Sequence, residues 1–215
     1  MRIVKEECKI KVLSLFDGIG SGYLALRRAG INIEEYYASE VDRYAIAIAK
    51  YNIPNIKHVG DIRNLDPGEF DDIDIIIGGS PCQDFSVAGR RNGITVNDIE
   101  LMDLETYLRY KSEGVNFDGQ GYLFWEYVRL LNAIKPKYFL FENVRMIKRW
   151  REVASRELGV EPIILNSSLV SAQNRVRLYW TNIPVLGFPN NIDTKLIDII
   201  EHDIDEKYYY ENHSR

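Results

Sequence analysis

Cysteine and histidine are scarce in this sequence. Its 215 residues include two cysteines, Cys8 and Cys82, and three histidines, His58, His202 and His213. The cysteines fall on different predicted elements, so there is neither a CxxC redox motif nor a zinc-type spacing, and no metal site is expected. None of the histidines is placed to activate a cysteine, which makes peptide hydrolysis by a cysteine nucleophile a poor fit. No apolar run approaches the roughly 20 residues that span a bilayer. The start of the chain, Met1 to Glu7, lacks the apolar stretch of a secretion signal, so a cytoplasmic location without a membrane partner is expected. In that reducing compartment a disulfide is not expected either, and Cys8 reads as a small apolar filler ahead of the first strand. The GxGxxG fingerprint of dinucleotide binding is also missing, which disfavours an NAD-dependent oxidoreductase. Positive charge is short as well: the net charge is −5 and the isoelectric point about 5.4. A generic phosphate clamp is therefore excluded, and any cationic surface must be local. Candidates are Arg90 and Arg91, and the stretch Arg145, Lys148, Arg149, Arg151 and Arg156, which reads equally well as the solvated face of a helix.

What is present is enough apolar material, 46% of residues, for one domain with a substantial core. Ile10 to Phe16 reads as a buried strand, and Asp17-Gly18-Ile19-Gly20-Ser21-Gly22 opens a helix ended by Gly30. Further strands are expected at Ile33 to Ser39, Ile56 to Val59, Ile73 to Ile77 and Tyr138 to Phe141. Helices are expected from Asp42 to Tyr51 and from Tyr122 to Ile134, the latter stopped at Pro136. A helix ends at Gly159 after Val153 to Leu158. The runs Ile163 to Val170 and Arg175 to Thr181 lie close enough to pair as a hairpin. Such alternation predicts an α/β fold, a mostly parallel sheet with helices on both faces and ligands at the carboxyl ends of its strands. Two segments break the rhythm. Asn92 to Gln120 is polar and long enough to be a functional loop or lid, with a helix near Ile99 to Tyr110. From Pro184 onward the chain turns acidic and then tyrosine-rich.

The chemistry gathers at the predicted strand ends. A glycine-rich turn brings backbone N–H groups close to a ligand. Glu40, ending the second strand, is placed for ribose hydroxyls, and Asp61, ending the third, for an adenine amino group. Each acid alone is more often a helix cap; three successive strand ends with suitable groups change that weighting. Cys82 follows Ser80 and Pro81 after the fourth strand, in a loop near helix N-termini where a thiolate is stabilised. The fifth strand delivers Glu142, and Arg175 and Arg177 open a later one. A thiol, an acid and two guanidiniums suit covalent attack on a polar heterocycle.

From about Lys11 to Asn182 the chain resembles the DNA cytosine-5 methyltransferases. Seven ordered blocks carry the resemblance: Phe16-Asp17-Gly18-Ile19-Gly20, Glu40-Val41-Asp42, Gly60-Asp61-Ile62, Gly79-Ser80-Pro81-Cys82-Gln83, Gly121-Tyr122-Leu123-Phe124, Phe141-Glu142-Asn143-Val144 and Gln173-Asn174-Arg175-Val176-Arg177. The sequences around Ser14 to Ile19 and Ser171 to Arg175 are most similar to the phage-type enzymes. The resemblance implies a Rossmann-like, S-adenosylmethionine-dependent methyltransferase fold. It also implies DNA methylation in a restriction-modification or phage setting, in a bacterial or phage-infected cell. Double-stranded DNA would be the substrate and S-adenosylhomocysteine the spent cofactor.

Under that resemblance Cys82 adds to C6 of a flipped-out cytosine while Glu142 holds the amino group and protonates N3. Arg177 contacts the base carbonyl, Arg175 steadies the thiol, and Asn143 holds the Cys82 loop. Gln83, Ser86, Arg90 and Arg91 close over the flipped base and the phosphates. The cofactor set is Phe16, Asp17, Gly18, Ile19, Gly20, Glu40, Val41, Asp61, Ile62, Pro81 and Leu123. Within it, Phe16 stacks on adenine, Gly18 and Gly20 admit the methionine end, and Pro81 and Leu123 line the pocket.

The chain departs from the family after the Arg-x-Arg strand. A target-recognition region, an Arg-rich block with Gly-Phe-Pro, and a Gly-Asn-Ser-Val segment are not found. Gly187-Phe188-Pro189 comes too early and reads as a turn. The expected organisation is a catalytic domain over 1–183, followed by the start of an incomplete target-recognition region or tail over 184–215. A split enzyme or a truncated form follows as an expectation, with a complementing target-recognition subunit or self-association. The alternative is a catalytically inactive regulatory or scaffold protein, against which the intact Cys82, Glu142, Arg175 and Arg177 speak.

Overall fold

The computed structural model describes residues 9–53, 55–81, 95–96, 99–201 and 205. Nine strands and five α-helices follow in chain order among them. The first half runs β1 (Lys9–Leu15), α1 (Ser21–Arg28), β2 (Asn32–Ser39), α2 (Arg43–Asn52), β3 (Lys57–Gly60) and β4 (Ile75–Gly78). Then come the short strands β5 (Thr95–Val96) and β6 (Ile99–Glu100), followed by α3 (Leu104–Ser112), α4 (Leu123–Ile134) and β7 (Tyr138–Val144). The last elements are α5 (Lys148–Leu158), β8 (Ile163–Asn166) and β9 (Val176–Thr181).

Seven of these strands form one sheet in the order β3-β2-β1-β4-β7-β9-β8. The β1–β2, β2–β3, β1–β4 and β4–β7 pairs are parallel, and β9 runs antiparallel to β7. The chain winds outward from β1 to β2 and β3 on one side and to β4 and β7 on the other. That reversal opens a crevice beyond the carboxyl ends of β1 and β4, where open α/β sheets bind ligands. The fold is the mostly parallel α/β sheet expected from the alternating elements, in the Rossmann-like arrangement that the resemblance implies.

The two-residue period of the strands splits the interior in two. Leu13, Leu15, Ile76, Phe139, Phe141, Leu178 and Trp180 join one core cluster, which α4 completes with Trp125, Tyr127 and Val128 and α5 with Trp150 and Val153. Val12, Tyr36, Ala38, Ile75 and Ile77 point the other way, into a smaller cluster against which Tyr23 and Leu26 of α1 pack. Burying a side chain of this size contributes about 1.5–3 kcal/mol, so the first face dominates the stability.

Local signals explain the boundaries. Asp42 caps α2, its Oδ1 accepting from the N–H groups of Tyr44 (2.7 Å) and Ala45 (2.9 Å). α4 stops at Lys135, in a left-handed conformation ahead of Pro136, and α5 stops at Gly159 with φ 72°. α5 ends at Gly159 as expected and starts at Lys148. Two boundaries differ from the sequence reading. β8 ends at Asn166, whose side chain accepts from the N–H of Ser168 and starts a 3-10 turn in place of four more strand residues. The polar segment before Gln120 contains a two-stranded antiparallel ladder, β5–β6, whose second strand takes Ile99 and Glu100, so the helix expected near Ile99 to Tyr110 forms as α3 only from Leu104.

By contacts the chain divides into two units, Met1–Ile164 with Arg177–Pro184, and Leu165–Val176 with Val185–Arg215. In the second, the main chain of Arg175 is held by Asn166 Oδ1 (2.9 Å) and by the N–H of Ser167 (3.1 Å). The same unit exposes Val185, Leu186, Phe188, Ile192, Leu196 and Ile197.

Candidate active site and cofactor cleft

Four strand ends build the candidate site in the first unit. β1 ends at Leu15 and the chain breaks at Phe16, whose φ of 58° is rare for a residue with a side chain and marks a forced turn. Gly18 and Gly20 follow with φ of 60° and 85°. At Gly20 a Cβ would also fall 2.3 Å from the Ile53 side chain, so the turn requires glycine there. Beneath it Asp17 is nearly buried, accepting from the Ser14 and Tyr36 hydroxyls, both at 2.6 Å. Burial pushes the Asp17 carboxyl above its ordinary pKa, and the two hydroxyls oppose that shift.

Glu40, after β2, reaches back to the turn. Its Oε2 accepts from the N–H of Gly18 at 2.8 Å, and its Oε1 from the N–H groups of Val41 (2.7 Å) and Asp42 (2.9 Å). A carboxylate offers about four lone-pair sites, so this one is fixed by the main chain with room for a further donor. Asp61, after β3, accepts from the N–H of Arg63 at 3.0 Å and pairs with the Arg63 guanidinium. Hydrogen bonding from Arg63 holds the Asp61 carboxyl below its ordinary pKa.

These residues surround a cleft of about 350 Å³. Phe16, Glu40, Val41, Asp61, Ile62, Pro81 and Leu123, all expected at the cofactor, line it. Asp17, Gly18, Ile19 and Gly20 form the adjoining turn and are not among its walls. The sequence reading missed Ser39, Arg63, Gly119, Gln120 and Tyr122. The position of Arg63, two residues past a strand-end acid, is the one sequence signal that would have drawn attention to it.

Beyond β4, Gly79 and Ser80 approach β7. A Cβ on Gly79 would sit 2.7 Å from the carbonyl oxygen of Glu142 and 2.9 Å from its Oε2. Asn143, buried, donates from Nδ2 to the carbonyl (3.3 Å) and hydroxyl (3.2 Å) of Ser80. It thereby clamps the backbone just ahead of Cys82. Glu142 in turn accepts at Oε1 from Arg177 Nε at 2.9 Å. Glu142 and Gly79 line a second cavity, of about 420 Å³, with Asp17 and Tyr179, and Phe16 borders both this cavity and the cleft.

Cys82, Gln83, Ser86, Arg90 and Arg91 lie outside the described residues. Arg175 is exposed and belongs to the second unit. On α5, Lys148, Arg149 and Arg156 pair with Glu152, Glu100 and Glu157, which favours the solvated-face reading of that basic stretch. Among the described residues no cluster of histidine, cysteine and carboxylate side chains could hold a metal ion, and no helix is long and apolar enough to cross a membrane.

A cleft beyond the strand ends of a Rossmann-like sheet is where such folds bind ligands. The family model for C-5 cytosine-specific DNA methylases matches residues 10–104 and 111–212, and the chain belongs to that family. It is 34% identical over 212 residues to the orphan methyltransferase M.SPRI of Bacillus phage SPR, covering 90% of this chain and 43% of that protein. To the type II methyltransferase M1.ScrFI of Lactococcus lactis subsp. cremoris it is 28% identical, covering 95% of this chain and 52% of the relative. The chain thus spans about half the length of these curated relatives. Among solved structures it is similar to a Spodoptera frugiperda DNMT2 mutant, with 23% identity and a TM-score of 0.63, over 92% of this chain and 61% of that one. This last likeness supports the fold.

Proposed function

We propose that the chain is the catalytic part of a DNA (cytosine-5)-methyltransferase that uses S-adenosylmethionine. The carrying observation is the position of Phe16, which borders both the strand-end cleft and the cavity that holds Glu142. A cofactor in the first and a base in the second would be neighbours. The cleft suits an adenosine moiety: an aromatic ring at Phe16, a fixed carboxylate at Glu40 with an acceptor site to spare, and the Asp61 carboxylate. Bound there, S-adenosylmethionine supplies an electrophilic methyl group on a sulfonium. The turn residues Asp17, Gly18, Ile19 and Gly20 complete the expected cofactor set, with Gly18 and Gly20 at the methionine end.

In the proposed reaction the Cys82 thiolate forms a bond to C6 of an extruded cytosine, and Glu142 delivers a proton to N3, which makes C5 nucleophilic. C5 would take the methyl group from the bound sulfonium, which leaves as the thioether of S-adenosylhomocysteine. The C5 proton would then pass to solvent, N3 would return its proton to Glu142, and the C6–S bond would break to release the Cys82 thiolate and restore the ring. Arg177 steadies Glu142 and faces the base carbonyl, Arg175 supports the thiol, and Gln83, Ser86, Arg90 and Arg91 close over the DNA. Flipping the base costs a few kcal/mol, repaid by these contacts.

Residues 1–183 form the catalytic domain under this reading, and 184–215 begin a target-recognition region. The apolar side chains exposed between Val185 and Ile200 support cover by a complementing target-recognition subunit or a second copy. The family relatives from phage and bacteria support a cytoplasmic setting in a bacterial or infected cell.

The test is methyl transfer in cells. The chain and its complementing portion are expressed in bacteria lacking 5-methylcytosine, and genomic nucleosides are measured by mass spectrometry. The proposal expects 5-methyldeoxycytidine, abolished by Cys82→Ser. Methylation at an exocyclic amine, or 5-methyldeoxycytidine persisting in Cys82→Ser, overturns it.

A further inference from the structure

Glu126 is fully buried on α4, and three donors converge on its carboxylate. Arg129 Nε donates to Oε2 at 2.7 Å, while Lys111 Nζ and the Tyr107 hydroxyl both donate to Oε1. Two of these donors extend further. Arg129 Nη2 donates to the carbonyls of Ile62 (3.2 Å) and Leu65 (3.1 Å), and Lys111 Nζ to the carbonyl of Arg63 (3.1 Å). One buried carboxylate therefore ties α3 and α4 to the 3-10 turn that follows Asp61. The side chains of Asp61, Ile62 and Arg63 line the cleft.

An aromatic stack makes the same connection from the other side. Tyr107 and Phe117 lie 5.1 Å apart between ring centroids, and Phe117 and Tyr122 also 5.1 Å apart. Tyr122 lines the cleft beside Gly119 and Gln120. Residues 105–110, which include Tyr107, are the stretch of α3 left outside the family match.

We infer that α3, through the Lys111–Glu126–Arg129 cluster, is a positioning element of the cofactor cleft: it fixes the Ile62–Leu65 turn and the Tyr122 wall, so that affinity for an adenosine moiety depends on contacts made outside the cleft itself. The inference rests on the reading of the cleft as a cofactor site. Lys111, Glu126 and Arg129 touch no reacting atom; they act through Asp61, Ile62, Arg63 and Tyr122. A buried carboxylate that loses one of its cations must rearrange, and the carbonyls held by the same cations rearrange with it.

The test is calorimetric titration of the full chain with S-adenosylhomocysteine and with 5′-methylthioadenosine, which keeps the adenosine but lacks the amino-acid end. In Lys111→Met, Arg129 still pairs with Glu126, and at a temperature well below the variant's own, lowered melting midpoint the dissociation constants for both ligands are expected to rise roughly 3- to 30-fold. Lys111→Arg restores them. Unchanged affinity in Lys111→Met, or loss that Lys111→Arg does not restore, overturns the inference and leaves the cofactor reading standing. Weakening confined to S-adenosylhomocysteine overturns the assignment to the adenosine side. Failure of the unaltered chain to bind either ligand removes both readings. Should Lys111→Met not fold, Tyr107→Phe, which keeps the ring stack and removes only the hydroxyl, is decided by the same affinities.

Discussion

Arg177 on β9 donates from Nε to Glu142 Oε1 on β7 across an antiparallel pair, at 2.9 Å. The register sets Arg177 opposite Val144 and Tyr179 opposite Glu142, so the contact is diagonal and both side chains share one face of the sheet. A lysine cannot reproduce it, being a single point charge on a flexible stem. Glu142→Gln is expected to lower methyl transfer by about 10²–10⁴-fold, the usual contribution of a positioned acid. Arg177→Lys should fall between that variant and the unaltered protein, with the melting midpoint little changed. Single-turnover transfer of a labelled methyl group into duplex DNA measures both.

Gly79 has no room for a side chain, because its would-be Cβ meets both the carbonyl and the carboxylate of Glu142. Gly79→Ala must displace the main chain of β7 or of the Gly79 turn, and the Glu142 carboxylate with it. Overpacking of this kind costs about 1–3 kcal/mol of stability. A displacement of about 1 Å at a reacting group can cost roughly 10²-fold in rate. Thermal unfolding and methyl transfer compared on the same variant should show the activity loss exceeding what the change in folded fraction explains.

The Asp61 carboxyl is held below its ordinary pKa, chiefly by hydrogen bonding from Arg63. A depressed folded pKa contributes stability above the unfolded value, and that contribution is lost as pH falls through the lower, folded value. In the unaltered protein Asp61 therefore stays ionised to a pH below about 4, where a free carboxyl would already be protonated. In Arg63→Gln its titration, followed by carboxyl NMR, is expected to move up toward the ordinary range. Binding of S-adenosylhomocysteine should weaken at a correspondingly higher pH.

Asp17 is shifted the opposite way, raised mainly by burial. Its stabilising contribution is complete below the unfolded pKa and is lost as pH rises through the folded value. Asn at this position keeps an acceptor for the Ser14 and Tyr36 hydroxyls and carries no charge. The melting midpoint of Asp17→Asn relative to the unaltered protein is thus expected to improve as pH rises from the ordinary carboxylate value to the raised folded one, and to level off above it. A difference independent of pH would show that ionisation of Asp17 is not what burial penalises.

Most of the fold was legible because each strand end carried its own punctuation. The turn at Asp17 to Gly22, the cap at Asp42, Pro136 and Gly159 mark boundaries by local chemistry, and the structure respects them. The β5–β6 ladder was not legible, since two-residue strands carry no period to read. Nor was the antiparallel entry of β9, which depends on where the chain returns. In the cleft, the strand-end acids and Phe16 could be named from sequence. Gln120 and Tyr122 could not, because they come to the cleft from the far end of a long polar segment, and Arg63 offered only its nearness to Asp61.

The central claim is a methyl-donor cleft next to a cytosine pocket, and covalent trapping tests it most directly. A duplex with 5-fluorocytosine at the target base is incubated with the chain, its complementing portion and S-adenosylmethionine, and the product is analysed by intact-mass spectrometry. A stable adduct of protein and methylated DNA is expected, one that requires S-adenosylmethionine, maps to Cys82 and disappears in Phe16→Ala. An adduct that persists in Cys82→Ser, or that forms equally well without the cofactor, would contradict the claim.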